Sequence, residues 1–402
     1  MKFIFANRPC MHLLVVLLAL CFGAQSLAQS PEAASLHEVL TLSLRSHPAL
    51  EAERAKIRAA EARYERAGFF PNPTGSFELE NFAGSGTNKS FSNTEITLAF
   101  SQLVELGNKR KRRSRVANAD IELATANYHR TRVDILTRVA VAFIELLAAE
   151  YQLRTDKQLR ESAENLFKSV SANVEAGKVA PVEEVKANVE LSRARLSELK
   201  TGNAIIALRA RLAAVMGHQV LPVDAIFSDL FDVARPQPIE EIYAKLDNSP
   251  DIERQQALIT KRQDSVALAK SQQIPDVSVS AGLRRFEASD DTAAVAMFSI
   301  PLFLFDNKDT LTVEADANLT EALAAMSSLQ FRLRSELAVA YQLVSANVEE
   351  FFVMQKDVVP SAELALYRVN ESYRLGKLSL IDLIDSQRTL FNAKRQLVQS
   401  AA

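Results

Sequence analysis

Between Gly107 and Gly177 the chain contains neither glycine nor proline. As one helix, that run of roughly 70 residues would extend on the order of 100 Å. A second stretch, Leu302 to Val359, is also free of both, and Pro360 is placed to kink its continuation. Apolar residues recur along both in steps of three and four, the spacing of a heptad seam. The first run carries Leu136, Val139, Phe143, Leu146 and Leu153, interrupted by Glu150. The second carries Leu333, Leu337, Ala340, Val344, Phe351, Met354 and Val358, interrupted by Asn347. Helices of this length cannot curl into one globule. They must lie against one another as a rod or a tube.

The two runs belong to two copies of one pattern, offset by about 200 residues, a sign of internal duplication. Ser46-His47-Pro48 returns as Asn248-Ser249-Pro250, and Phe70-Pro71-Asn72 as Ile274-Pro275-Asp276. Gly107-Asn108-Lys109 returns as Asp306-Asn307-Lys308, and Ala176-Gly177-Lys178-Val179 as Leu375-Gly376-Lys377-Leu378. Each copy is expected to hold a helix of about 30 residues (Leu36 to Ala67, Ile239 to Ser271), two strands, a long helix, a glycine and a last helix. The first repeat spans 29–217, with strands near 74–82 and 93–103, the long helix near 108–176 and the last near 181–215. A connection over 218–238 leads to the second repeat, 239–402, with strands near 277–286 and 293–302, the long helix near 309–375 and the last near 379–399.

The strands decide the environment. Ile96, Leu98 and Phe100 alternate with Glu95, Thr97, Ala99 and Ser101; Val277, Val279, Ala281 and Leu283 alternate with Ser278, Ser280, Gly282 and Arg284. The fourth is the least regular, with Val295 and Met297 on its polar face. Residues 1–28 read as a secretory signal: Lys2 and Arg8, an apolar run from Leu13 to Gly23, and a Ser26-Leu27-Ala28 cleavage site. A lipoprotein reading would use Cys21, but Leu20 is too large for the residue before a lipidated cysteine. Both cysteines, Cys10 and Cys21, lie in this segment, so the processed chain has no thiol chemistry. Loss of Lys2 and Arg8 leaves 45 basic against 49 acidic residues, a balance that argues against a nucleic-acid partner.

No later apolar run reaches the roughly 18 residues of a membrane helix. An exported chain like this enters a membrane through its strands, whose length of about 9–11 residues suits a tilted membrane strand. Four strands cannot close a barrel, because single-chain barrels begin at about eight. Three chains supply about twelve, so membrane insertion itself predicts a homotrimer. Two ordinary amphipathic hairpins packed on helices are the plainer alternative.

Phe70-Pro71-Asn72-Pro73, Leu79 to Gly86 (LENFAGSG) and Leu103 to Arg110 (LVELGNKR) carry a likeness to a known family. The chain resembles the TolC family of outer-membrane channels along nearly all of its processed length, most closely the CzcC-like branch that works with heavy-metal exporters. Asn108 stands where that branch has a second glycine. The resemblance implies a mainly α protein with a membrane β part. In the trimer, long helices form an α-barrel through the periplasm and four strands per chain form a twelve-stranded β-barrel in the outer membrane. It also implies two further partners, a periplasmic adaptor (membrane fusion protein) and an inner-membrane efflux pump, and a passive exit duct for cations such as cobalt, zinc or cadmium. Drug efflux or type I secretion through the same architecture, and a non-channel periplasmic adaptor or structural coiled coil, remain open alternatives.

Near the C-terminus two carboxylates, Asp382 and Asp385, sit three residues apart, shortly after Gly376. Gly177 and Gly376 permit the left-handed turn that ends a helix, so both turns are expected at the periplasmic tip. Repeated in a trimer, the pair would ring a narrow throat, favour cations and raise some of its own pKa values by mutual repulsion. Asp382 also reads as a helix N-terminal carboxylate favoured by the dipole. The resemblance implies a pore aperture at Asp382 and Asp385, with Tyr373 in its closing network; Leu378 stands where the best-known member has arginine. The first repeat has Glu183 and Lys186 at the equivalent places. Adaptor contacts are expected at Gly177, Lys178, Val179 and Ala180, and at Gly376, Lys377, Leu378 and Ser379.

Lys109 to Arg113 form a five-residue basic run at the start of the long helix, read first as a solvated face near the membrane and second as a contact for anionic lipids of the outer membrane. His37, His47, His129 and His218 are scattered without metal-ligand spacing. No nucleophile–base pair, phosphate loop or paired-acid constellation is visible, so neither catalysis, a cofactor nor a resident metal is expected.

Overall fold

A computed structural model describes residues 34–306 and 308–402, so the signal segment and Asn307 lie outside the described residues. The chain is a bundle of long helices crowned at one end by a four-stranded antiparallel sheet in the order β1-β2-β3-β4. The first repeat runs α1 (Leu36–Ser46), α2 (Pro48–Ala67), β1 (Thr74–Glu80), β2 (Glu95–Val104), α3 (Lys109–Glu175) and α4 (Pro181–Val215). The second runs α5 (Ile239–Leu246), α6 (Pro250–Gln272), β3 (Val277–Phe286), β4 (Asp291–Ser299), α7 (Asp309–Val353), α8 (Val359–Arg374) and α9 (Leu380–Ala401). At 67 residues, α3 is about 100 Å long.

The single first helices expected in each repeat are each two. His47 and Ser249 are extended (ψ 122° and 147°), and Pro48 and Pro250 then open new helices. A residue before proline avoids helical geometry, whereas proline at the first helical position loses no hydrogen bond. His47 is itself a cap: its Nδ1 accepts from the Ala49 N–H at 3.1 Å, which leaves Nε2 to donate to the Val215 carbonyl at 3.2 Å.

The second long helix, expected over about 309–375 with a kink at Pro360, is interrupted at that proline. A π-helical turn, Met354–Val358, separates α7 from α8, and the Val359 N–H reaches back to Met354. Pro360 explains it. Lacking an N–H, it cannot continue the ladder, and the preceding bond shifts by one residue. The upper seam is open as well: Ala340, Val344 and Asn347 are exposed in the protomer, while Phe351 and Met354 are buried.

The strands keep the expected alternation with moved ends. β1 stops at Glu80 because Asn81 and Ala83 take left-handed φ values, and β4 ends at Ser299, before Pro301 removes a donor. The register puts Phe77, Leu98, Leu283 and Ala294 in one row across the sheet, and Gly75, Phe100, Ala281 and Ala296 in another. On the opposite face Arg284 binds Glu80, Glu95 and the Thr97 hydroxyl. One face is apolar and exposed, the other polar and cross-linked. β1 and β4 each leave an unpaired edge.

Below the sheet, α3 packs along α2, α4 and α6. The principal core lies midway, where Val39, Leu50, Val139, Phe143, Leu146, Leu212 and Met216 are nearly inaccessible. The inter-repeat connection closes it through Ile226 and Leu230, with Ala34 bridging to Ile226. Among the described residues no helix is long and apolar enough to cross a membrane.

Candidate functional site at the helical tip

Far from the sheet, α3 and α8 end in the same device. Gly177 (φ 66°) donates to Val174 and Lys178 to Asn173, both at 2.9 Å; Gly376 (φ 71°) donates to Tyr373 and Lys377 to Ser372, both at 2.9 Å. These paired bonds satisfy carbonyls that a helix end would otherwise leave bare, and they require a residue tolerant of positive φ. The chain then reverses into α4 and α9.

The reversals differ in chemistry. α4 starts at Ala180, whose side chain caps nothing, with Pro181 preset for the first turn. α9 starts with a complete capping box: the Ser379 hydroxyl accepts from the Asp382 N–H, and the Asp382 carboxylate accepts from the Ser379 N–H at 2.9 Å and its hydroxyl at 2.6 Å. The hydroxyl and then the backbone hydrogen bond of Ser379 hold the Asp382 carboxyl below the usual carboxylate range. Within one protomer the Ser379 cap sets this direction, whereas the rise expected from mutual repulsion concerns the carboxylates of three copies together.

Asp382 and Asp385 lie exposed on the same side of α9, whereas Leu380, Leu383 and Ile384 face a small core with Leu166, Val170 and Ala187. Asp385 has no hydrogen-bonded or ion-paired carboxylate partner among the described residues, although Arg388 lies within electrostatic reach. Tyr373 packs on that core; burial pushes its phenol up, and nearby Glu183 adds to the rise. In the first repeat Glu183 is paired with Lys186 at 2.9 Å. One tip therefore neutralises its own charge and the other presents two carboxylates to solvent. Lys178, Lys377, Leu378 and Ser379 are exposed and Val179 half-buried.

Above the tip, polar links tie α9 to the first repeat. Arg388 pairs with Glu190, Gln387 donates to Ser162 at 3.1 Å, and Arg395 approaches Asp156 at 3.7 Å. Asp156 is 1% exposed and accepts from Gln152, Ser197 and Thr201. Neither Glu190 nor Asp156 stood out in the sequence. A hub of hydrogen bonds between two helices, with an ion pair from a third, leaves no local spacing signal.

Long antiparallel helices beneath a sheet with one apolar and one polar face define a membrane-embedded duct with a helical extension. The chain belongs to the outer membrane efflux protein family, matched over residues 39–218 and 242–402. It is a TolC-type outer-membrane efflux channel subunit, in a family of passive channels rather than enzymes. It is 29% identical over 362 residues to the cobalt-zinc-cadmium resistance protein CzcC of Cupriavidus metallidurans, covering 90% of this chain and 84% of that protein. It is 26% identical to the nickel-cobalt-cadmium resistance protein NccC of Alcaligenes xylosoxydans xylosoxydans, covering 85% and 76%. Its fold matches the solved outer-membrane channel OprN with a TM-score of 0.78 at 20% identity, covering 91% of this chain and 86% of that one.

Proposed function

We propose that three copies of this chain close into one channel that forms the exit duct of a tripartite heavy-metal efflux system. The sheet carries the reading: its apolar face needs lipid, and its open β1 and β4 edges cannot stay unpaired there. Pairing β4 of one copy with β1 of the next closes twelve strands, and the open seam of α7 then has a neighbour to cover it. The duplicated units, 29–217 and 239–402, would each supply half of a protomer's share of the barrel, with 218–238 at the girdle. Likeness to CzcC and NccC supports cations such as cobalt, zinc or cadmium as cargo.

In this assembly Asp382 and Asp385 line the aperture three times over, with Tyr373 packed behind them. A carboxylate ring attracts cations without binding them tightly. The turns at Gly177, Lys178 and Val179 and at Gly376, Lys377, Leu378 and Ser379 meet the periplasmic adaptor, which couples the duct to an inner-membrane pump. The test is growth inhibition by cobalt, zinc, cadmium, nickel and hydrophobic drugs in parent and deletion strains. Metal sensitivity rescued by the intact gene is the expected result. Sensitivity to drugs alone would discard the metal cargo and keep the duct.

A further inference from the structure

The first residues of α3 run Lys109-Arg110-Lys111-Arg112-Arg113, and its first turn holds no acidic residue. The positive end of a helix dipole disfavours cations, so this run opposes the local preference. The equivalent helix of the second repeat, α7, obeys that preference with Asp309. Two of the five charges are neutralised, Lys109 by Asp276 at 2.7 Å and Arg113 by Glu105 at 2.6 Å. Arg110, Lys111 and Arg112 have no carboxylate partner among the described residues.

Arg110 lies over the ring of Phe70, its guanidinium carbon 3.7 Å from the centroid, and Phe70 is 69% exposed. A cavity of about 550 Å³ opens there, lined by Phe70, Gln102, Val104, Arg110 and Lys111, and by Glu105, whose carboxylate is held by Arg113. Gln102 and Val104 continue the row of β2 that carries Leu98 and Phe100, so the cavity lies where the apolar face of the sheet ends and the charged helix begins. Aromatic rings and cations at such a boundary match the interface of a bilayer.

We propose that this cavity binds the headgroup phosphate of an anionic phospholipid in the periplasm-facing leaflet. Arg110 and Lys111 hold the phosphate, Phe70 flanks the glycerol, and the acyl chains run along Val104, Phe100 and Leu98. Free phosphate would gain the two cations but nothing from that continuous apolar row. The site rests on the membrane placement of the sheet, and its first-repeat location gives one per protomer.

Native mass spectrometry of the purified full-length assembly tests this, with dioleoylphosphatidylglycerol, dioleoylphosphatidylcholine and sodium phosphate titrated separately. Phosphatidylglycerol is expected to bind more tightly than phosphatidylcholine. Each neutralised cation should weaken it roughly five-fold, so Arg110→Gln with Lys111→Gln loses roughly twenty-five-fold. Lys89→Gln, the same charge change in the hairpin at the far end of the sheet, should leave binding unaltered. If the double variant does not assemble, Lys111→Gln alone carries the test, because Lys111 makes no ion pair among the described residues. Equal affinity for the two lipids, unchanged binding in the variants, or displacement of phosphatidylglycerol by phosphate at matching affinity would overturn the proposal. A parent that gives no trimer would instead contradict the channel reading, so the two failures are distinguishable.

Discussion

Arg388 on α9 pairs with Glu190 on α4, 198 residues earlier, its Nε donating at 3.0 Å and a second guanidinium nitrogen donating alongside. The separation is close to the offset of the duplication, so near-equivalent positions of the two repeats grip each other. This bridge, with Gln387–Ser162, ties the carboxylate-bearing hairpin to the first-repeat hairpin.

Removing that link should loosen the tip. Arg388→Gln and Glu190→Gln are each expected to raise the resting conductance of the channel in planar bilayers. The exchanged pair, Glu190→Arg with Arg388→Glu, should restore part of the closed state. With the arginine half exposed, the pair contributes about 1 kcal/mol, so the effect is a shift in open fraction rather than collapse. Equal conductance in all variants would remove Arg388 from any part in closure.

Two carboxyls should respond to pH in opposite senses. Asp382 has a lowered pKa through its Ser379 hydrogen bonds, so its stabilisation is present above the ordinary carboxylate pKa and is lost as pH falls through the folded value. Glu150 is raised, chiefly by burial, with Arg209 and Arg154 opposing. Its ionisation therefore works against folding as pH rises. Glu150→Gln should raise Tm at pH 7 and change little at pH 4, whereas the hydrogen-exchange protection factors at the start of α9, with the intrinsic pH dependence of exchange divided out, should fall at low pH. A Glu150→Gln Tm below the parent's at pH 7 would contradict the burial argument.

The glycines separate strain from collision. A Cβ on Gly177 or Gly376 would meet nothing within 4 Å, so alanine there carries only the left-handed penalty of about 1 kcal/mol. A Cβ on Gly217 (φ 80°) would lie 2.7 Å from Pro48 Cδ, in the wall of the main core. Gly217→Ala should therefore lower Tm clearly more than Gly376→Ala, as thermal unfolding in detergent would show.

Lys109 and Asp276 join the repeats below the sheet, with side chains 10% and 23% exposed. Asp276 also accepts from the Leu106 N–H at 3.0 Å. Asp276→Asn leaves a largely buried lysine without counter-charge and should cost about 3 kcal/mol. Asp276→Asn with Lys109→Met should recover much of that loss in the same unfolding measurement.

Much of this was legible locally. Two runs free of glycine and proline, four alternating strands and paired glycines each act through backbone geometry. The cap at Ser379 was half visible: an acid three residues after a serine is the spacing of a capping box, and the dipole reading of Asp382 pointed the same way. The helix breaks at His47-Pro48 and Ser249-Pro250 were written in the sequence too, but the prolines served as markers of repetition rather than as helix starts. Arg388–Glu190 and the Asp156 hub were not legible, because they depend on how distant hairpins cross. The unpaired carboxylate of Asp385, beside a capped Asp382, emerges only when both partners' surroundings are seen.

The central claim is a cation-favouring duct whose tip is lined by carboxylates, and a reversal potential tests it most directly. Purified channel in a planar bilayer under a potassium chloride gradient should show cation selectivity. Asp385→Asn should move the reversal potential toward zero, and Asp382→Asn with Asp385→Asn should move it further. Anion selectivity in the parent, or an unmoved potential in the double variant, would contradict the account.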